Sequence, residues 1–111
     1  METIPQRLTD LDEISGAILI GKDGLIVSGA LHSEDEEMLG AMSAAVFGSI
    51  ANFTSQISNG EMHHVIIETH SGTIQFEEVG ELILVVTTHT ASNLGHVRLE
   101  MKKPAIKSRN L

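Results

Sequence analysis

The chain contains no cysteine, tryptophan or tyrosine, and only three of its 111 residues are phenylalanine. The absence of cysteine excludes disulfides and thiolate zinc sites, and it fits a reducing cytoplasm. The scarcity of aromatic rings leaves no stacking surface for single-stranded nucleic acid. A chain of this length indicates one domain. We therefore expect a single cytoplasmic domain over residues 1–111, with its core at about residues 11–103 and a basic tail at 104–111.

Basic residues are missing from most of the chain. From Asp23 to Val97 there are ten acidic residues and no lysine or arginine, whereas five of the seven basic residues lie between Arg98 and Arg109. An acidic body repels phosphate backbones, so we expect no binding to nucleic acid. Residues 1–10 are polar and no uninterrupted apolar run of about 18 residues exists, which predicts neither a signal peptide nor a membrane span.

Charge of either sign is absent between Glu37 and Glu61. Residues 38–60 read MLGAMSAAVFGSIANFTSQISNG, and the first 20 of them have the composition of a helix. A helix on the surface of a small protein normally keeps charge on its outer face. We therefore expect this outer face to be covered, most simply by a second copy of the chain. A second layer of the same chain and a different partner protein are the alternatives.

Turn and cap signals divide the chain into eight elements. The predicted order is a helix at 6–14, strands at 17–20 and 25–28, the long helix, strands at 64–70, 73–79 and 82–88, and a helix at 93–103. Lys22 to Gly24 form a hairpin turn, Ser33 caps the long helix and Pro104 ends the last one. This order, α-β-β-α-β-β-β-α, predicts an α+β fold with one five-stranded antiparallel sheet. The apolar strands 17–20 and 82–86 belong in its centre, and 64–70 at an edge.

The long helix carries two stripes when its residues are placed at 100° per step. We expect the large apolar stripe to face the sheet; it comprises Leu39, Met42, Val46, Ile50, Phe53 and Ile57. The nearly opposite stripe is small and neutral, which lets another helix approach closely. Together with the following edge strand it gives a predicted dimer interface of Ala41, Ala44, Ala45, Gly48, Asn52, Ser55, Val65 and Ile67. Phe47, Glu37 and Ala51 are the predicted partner-binding residues.

No motif in the sequence supports catalysis. Residues 16–22 match most of a P-loop, but Asp23 stands where a serine or threonine should bind magnesium, and the intervening residues read as a strand. His63 and His64 are adjacent, so they point to opposite faces of a strand rather than to one metal. Glu77 and Glu78 lie near an exposed turn, which provides no pocket to raise a carboxyl pKa. We expect no catalytic, metal or cofactor site, and a small enzyme is the least favoured interpretation.

Several segments together resemble the roadblock family, which includes dynein roadblock-type light chains and their prokaryotic relatives. They are the hairpin GAILIGKDGLIVSG at 16–29, the small-residue helix at 38–53, the LILVV strand at 82–86 and the string SNLGHVRLE at 92–100. The resemblance extends over roughly residues 11–103. It implies a five-stranded antiparallel sheet with helices on both faces, akin to profilin and longin domains. It also implies dimers formed through the long helix and the strand after it.

The resemblance also implies a function. Prokaryotic members are associated with Ras-like small GTPases, and eukaryotic members serve as motor light chains or as scaffolds. We therefore expect a non-catalytic homodimeric module that binds and regulates a Ras-like small GTPase. A structural adaptor or scaffold subunit without effect on nucleotide turnover is the alternative. Because no arginine lies between Arg7 and Arg98, an arginine-finger mechanism has little to work with, and regulation would position the GTPase's own loops.

Overall fold

The computed structural model describes residues 2–30, 35–57, 60–89 and 93–109, and only the backbone of 105–109. Its elements are α1 (Ile4–Thr9), β1 (Ile14–Gly21), β2 (Ile26–Ala30), α2 (Glu36–Ile57), β3 (His64–Thr69), β4 (Gly72–Val79), β5 (Leu82–His89) and α3 (Leu94–Arg109). The five strands form one antiparallel sheet in the order β2-β1-β5-β4-β3. The predicted fold class and element order are confirmed, with β1 and β5 inside the sheet and β3 at an edge.

Each face of the sheet carries its own hydrophobic core, because alternate side chains of a strand point to opposite faces. The α3-side core includes Leu8 of α1, Ala17, Leu19, Leu84 and Val86 of the sheet, and Val97 and Met101 of α3. The α2-side core comprises Ile18, Ile20, Phe47, Phe76, Ile83 and Val85. Helices therefore cover both faces, α1 and α3 on one and α2 on the other.

Helix α1 begins and ends earlier than the apolar pattern predicts. Thr3 and Gln6 form a capping box, in which Thr3 Oγ1 accepts from the Gln6 amide at 3.3 Å and Gln6 Oε1 accepts from the Thr3 amide at 3.1 Å. These bonds satisfy two free amides and begin the helix at Ile4. The prediction that the helix continues to Ile14 is wrong, because Ile14 is buried in β1.

Helix α3 continues beyond the position at which the sequence predicts its end. Asn93 Oδ1 accepts from the His96 amide at 3.0 Å and caps the start. Pro104 lies inside the helix, so the prediction that it ends α3 is wrong. A proline removes one helical hydrogen bond without forbidding the others. The half-buried Pro104 also lines the groove between α1 and α3, together with Leu8 and Leu11.

The β1–β2 turn fixes where α2 crosses the sheet. Gly24 has a φ of 91°, the Gly21 amide donates to the Leu25 carbonyl at 2.9 Å, and Asp23 Oδ1 accepts from the Leu25 amide at 3.1 Å. A Cβ on Gly24 would lie 2.9 Å from Ala41 Cα, so α2 passes directly over the turn. The predicted cap at Ser33 lies outside the described residues.

Candidate interaction surface

The side of α2 that carries Gly40 and Phe47 packs on the sheet. The side that carries most of its large apolar residues does not. Gly40 and Phe47 are buried. A Cβ on Gly40 would lie 3.0 Å from the Gly24 carbonyl oxygen and 3.1 Å from Ile26 Cγ1, so the helix backbone approaches the hairpin closely. Phe47 packs against Phe76 of β4 with ring centroids 6.2 Å apart. The contact side of α2 is therefore defined by a glycine at one end and one aromatic ring in the middle.

The prediction that the large apolar stripe faces the sheet is wrong. Leu39 and Ile50 are half-buried, but the other four members of that stripe are exposed. With Met38 they form what we call the outer apolar face, namely Met38, Met42, Val46, Phe53 and Ile57. Phe53 is 63% exposed and Ile57 is 70% exposed. The close contact between Gly40 and Gly24 rotates the helix so that these side chains point away from the protein's own core.

Most of the predicted small-residue stripe also lies in the open. Ala41, Ala45, Gly48, Asn52 and Ser55 are exposed, and a Cβ added to Gly48 would have no atom within 4 Å. Ser55 Oγ donates to the Asn52 carbonyl at 2.7 Å, so its hydroxyl bonds within the helix. The whole outer surface of α2 is thus free of charge from Met38 to Ile57, with small residues beside large ones.

Two predicted residues of α2 contact the protein's own core. Phe47 is 4% exposed, so its assignment as a partner-binding residue is corrected: the ring fills the space over Phe76. Ala44 is half-buried and packs against the α2-side core, so only part of it lies on the outer surface. Of the other predicted partner-binding residues, Glu37 is exposed and Ala51 is half-buried.

Strand β3 supplies a free sheet edge near the end of α2. Within the part of the chain that the structure describes, β3 pairs only with β4. Its Val65 and Ile67 are half-buried and pack against the α2-side core. An edge strand presents a row of unpaired backbone donors and acceptors. The edge and the outer surface of α2 follow one another in the chain, as the predicted dimer interface requires.

A cavity of about 310 Å³ lies where α2 leads into β3. It is lined by Ala51, Ser55, Gly60, Glu61, Met62, His63 and Glu78. His63 Nδ1 lies 3.1 Å from Glu78 Oε1, and Lys22 Nζ lies 3.2 Å from Glu78 Oε2. Lys22 thus pairs with a carboxylate of β4 that lines this cavity. The rim of the interaction surface is acidic, with Glu37 at one end and Glu61 at the other.

The remaining polar groups do not assemble into a catalytic or metal centre among the described residues. Residues 16–21 of the P-loop match lie in β1 as a buried strand, which offers no phosphate cradle. No group of three or more histidine and acidic side chains there is arranged to hold a metal ion. The hydrogen bond from His96 Nδ1 at 3.0 Å lowers the pKa of the Glu13 carboxyl.

Helix α2 has the length and hydropathy that a membrane span requires, and it is the one described helix that does. A single helix of this kind is weak evidence for a span, because the core helix of a water-soluble domain meets the same criteria. Gly40 and Phe47 hold α2 against the sheet. We therefore expect a partner to cover the apolar surface of α2 without displacing the helix from the sheet.

Comparison with known proteins assigns the family. The family model described as the Roadblock/LC7 domain matches residues 1–88. The chain belongs to the Roadblock/LC7 domain family. An uncharacterized protein of Methanocaldococcus jannaschii, MJ0310, is 38% identical over 102 residues, which is 91% of this chain and 90% of the relative.

Two solved structures have the same fold. Myxococcus xanthus MglB superimposes with a TM-score of 0.85 at 23% identity, over 97% of this chain and 94% of the other. A Roadblock/LC7 domain from Streptomyces avermitilis gives a TM-score of 0.86 at 16% identity, over 99% and 97% of the two chains. The family match ends before α3, so the SNLGHVRLE string of the sequence resemblance lies outside the matched residues. The Roadblock/LC7 assignment thus depends on the sheet, α1 and α2.

Proposed function

We propose that this Roadblock/LC7 protein is a non-catalytic homodimeric binding module that binds and regulates a Ras-like small GTPase. The observation that carries the proposal is the uncharged outer surface of α2, with four large apolar side chains more than half exposed. Large exposed apolar patches on soluble proteins mark interaction sites. The dimer that we propose pairs the α2 helices and the β3 edges of two copies, in the reducing cytoplasm that the absence of cysteine favours.

The corrected position of α2 changes which residues we assign to the dimer. The outer apolar face contributes most of the area that can be buried, and the small residues Ala41, Ala45, Gly48, Asn52 and Ser55 lie next to it. Val65 and Ile67 support the β3 edge from the α2 side. A two-fold axis beside α2 makes the same patch meet itself, as a symmetric dimer requires.

The GTPase would bind the paired α2 helices at their acidic ends. Glu37 and Glu61 are exposed there, and such charges favour a basic patch on the partner and speed its association. Helix α2 contains no lysine or arginine, and the nearby Lys22 is paired with Glu78. An arginine finger in trans is therefore not available from this surface. Regulation would come from holding the GTPase's own loops.

The test is a nucleotide assay on a Ras-like small GTPase from the same organism, run with and without the protein. We expect binding and a change in the rate of GTP hydrolysis or nucleotide exchange. The matched variants are Phe53→Glu on the outer apolar face and Leu99→Glu on α3, because the two positions are 63% and 58% exposed on opposite sides of the sheet. Phe53→Glu should remove the effect and Leu99→Glu should keep it. Binding with no change in either rate would leave an adaptor in place of a regulator.

A further inference from the structure

A chain of buried polar side chains crosses the α3 side of the sheet from β3 to β5. His64 Nδ1 lies 3.1 Å from Glu77 Oε1, and His64 Nε2 lies 3.1 Å from Gln75 Oε1. Gln75 Nε2 donates to Thr73 Oγ1 at 3.3 Å, and the hydroxyls of Thr73 and Thr88 are 2.6 Å apart. The side chains of His64 and Glu77 are only 5% and 1% exposed. No part of the proposed function uses this network.

Burying the His64–Glu77 pair costs desolvation free energy, and two well-packed apolar side chains of similar size often stabilise a fold equally well. A buried polar pair can instead specify one arrangement among several, because every other arrangement separates the partners. The question for this chain is which alternative arrangement the pair excludes.

Strand β3 is an edge strand whose apolar pattern leaves its alignment open. Val65, Ile66 and Ile67 are consecutive apolar residues, so either face of the strand could pack on a core. A strand with similar residues on both faces is prone to slip by one position. As an edge strand it has a single neighbour in the described chain, so no second ladder corrects a slip.

The His64–Glu77 pair removes this ambiguity at the start of the strand. His64 lies directly opposite Glu77 in the β3–β4 ladder. A slip by one residue would turn the imidazole toward the α2-side core, beside Phe76, and separate it from Glu77. At the other end of the hairpin, Thr69 Oγ1 donates to the Gly72 carbonyl at 3.0 Å. A Cβ on Gly72, whose φ is 147°, would clash with the Thr88 carbonyl oxygen. Both ends of β3 are therefore held.

We infer that His64 and Glu77, supported by Gln75, form a register lock that holds β3 in one alignment. The free edge then offers one set of backbone groups to a second copy. His64 is a positioning residue for self-association, because its side chain is buried and cannot contact a second copy. His64 as a whole residue is half-buried, so the part of it that is exposed at the edge is its backbone. The consequence for assembly rests on the proposed pairing of β3 edges, but the lock itself is a property of one chain.

The test removes the lock as a unit with the triple variant His64→Leu, Gln75→Leu and Glu77→Leu. Replacing the polar partners together avoids leaving one of them buried without the others. The control is His96→Ala with Glu13→Ala, which removes another His–Glu pair, 3.0 Å apart and remote from β3. The readouts are the number of amide resonances for each residue of β3 in ¹H–¹⁵N spectra and the dimer dissociation constant.

We expect one resonance per β3 amide in the wild-type and control proteins. In the folded triple variant we expect several or broadened resonances confined to residues 64–69, and a dimer dissociation constant raised at least about tenfold. A folded triple variant with one sharp set of β3 resonances and wild-type dimerisation would overturn the lock. A wild-type chain that is monomeric would contradict the proposed dimer but not the lock, because the resonances report β3 in either state.

A measurement on the wild-type protein keeps the inference testable if the triple variant does not fold. Amides of β3 that donate to β4 should exchange with solvent at rates within about tenfold of each other at the His64 end and the Thr69 end. Exchange more than about a hundredfold faster at the His64 end would mean that the strand frays there. That result would overturn the lock without reference to dimerisation.

Discussion

Replacing Phe53 with alanine separates the proposed assembly from the fold of the single chain. The ring lies on the outer apolar face of α2 and is 63% exposed in one copy. It makes few contacts with its own sheet, so its truncation should change the free energy of unfolding of the monomer by less than about 1 kcal/mol. In the proposed dimer the same ring is buried against the second copy.

The expected loss of affinity follows from the area that remains exposed. A phenylalanine can bury about 200 Å², so about 125 Å² of Phe53 is available to a partner. At about 25 cal/mol per Å² this area corresponds to about 3 kcal/mol, of which alanine would lose about 2. A symmetric dimer contains the substitution twice, so the total is about 4 kcal/mol. The dissociation constant should therefore rise roughly a thousandfold.

Sedimentation equilibrium of Phe53→Ala over a range of concentrations measures this change. Leu99→Ala is the matched control, because Leu99 is 58% exposed but lies on α3, across the sheet from α2. We expect the control to dimerise like the wild type. A Phe53→Ala protein whose dissociation constant stays within about threefold of the wild-type value, well below the calculated change, would refute the assignment of the outer apolar face to the dimer.

Three further substitutions test the core, the dimer interface and the loss of stability in acid. Phe47→Ala should lower the free energy of unfolding by about 3–5 kcal/mol because it empties a core site, and denaturant unfolding that shows less than about 1 kcal/mol would mean that Phe47 is not in the core. A Cβ at position 48 would have no atom within 4 Å, so Gly48→Glu should leave the fold intact but place a charge in the proposed dimer interface; unchanged dimer mass in light scattering would exclude Gly48 from that interface. The hydrogen bond from His96 lowers the pKa of Glu13, so this carboxylate stabilises the fold above its ordinary pKa of 4.5 and the stabilisation is lost as pH falls toward the lowered value. Glu13→Gln should therefore flatten the fall of Tm below about pH 4.5, and an unchanged acid limb would contradict this role.

The sheet could be predicted from the sequence because each strand is bounded by a strong local signal. The residues from Lys22 to Gly24 form the predicted turn, and the apolar run at 82–86 lies in the central strand β5. The start of α1 was also encoded, since Thr3 and Gln6 have the spacing of a capping box. The apolar spacing of Leu8, Leu11 and Ile14 favours a later start, at Gln6.

The rotation of α2 could not be predicted, for a physical reason. Assigning the large apolar stripe to the core assumes that a chain's own sheet is the best apolar partner of its helix. Here the backbone contact between Gly40 and Gly24 sets the rotation, and that contact depends on the path of a turn distant in sequence. Phe53 and Ile57 remain exposed as a result. The His64–Glu77 pair could not be predicted for a similar reason, because the two residues are known to be partners only once the register of β3 and β4 is known.

If a second copy covers the outer surface of α2, the unmodified chain has twice its own mass in solution. The chain has a mass of 12.0 kDa. Sedimentation equilibrium at micromolar concentration should give twice that mass if the proposed dimer forms. A mass of 12.0 kDa maintained at the highest concentration at which the protein stays soluble would contradict the proposed dimer.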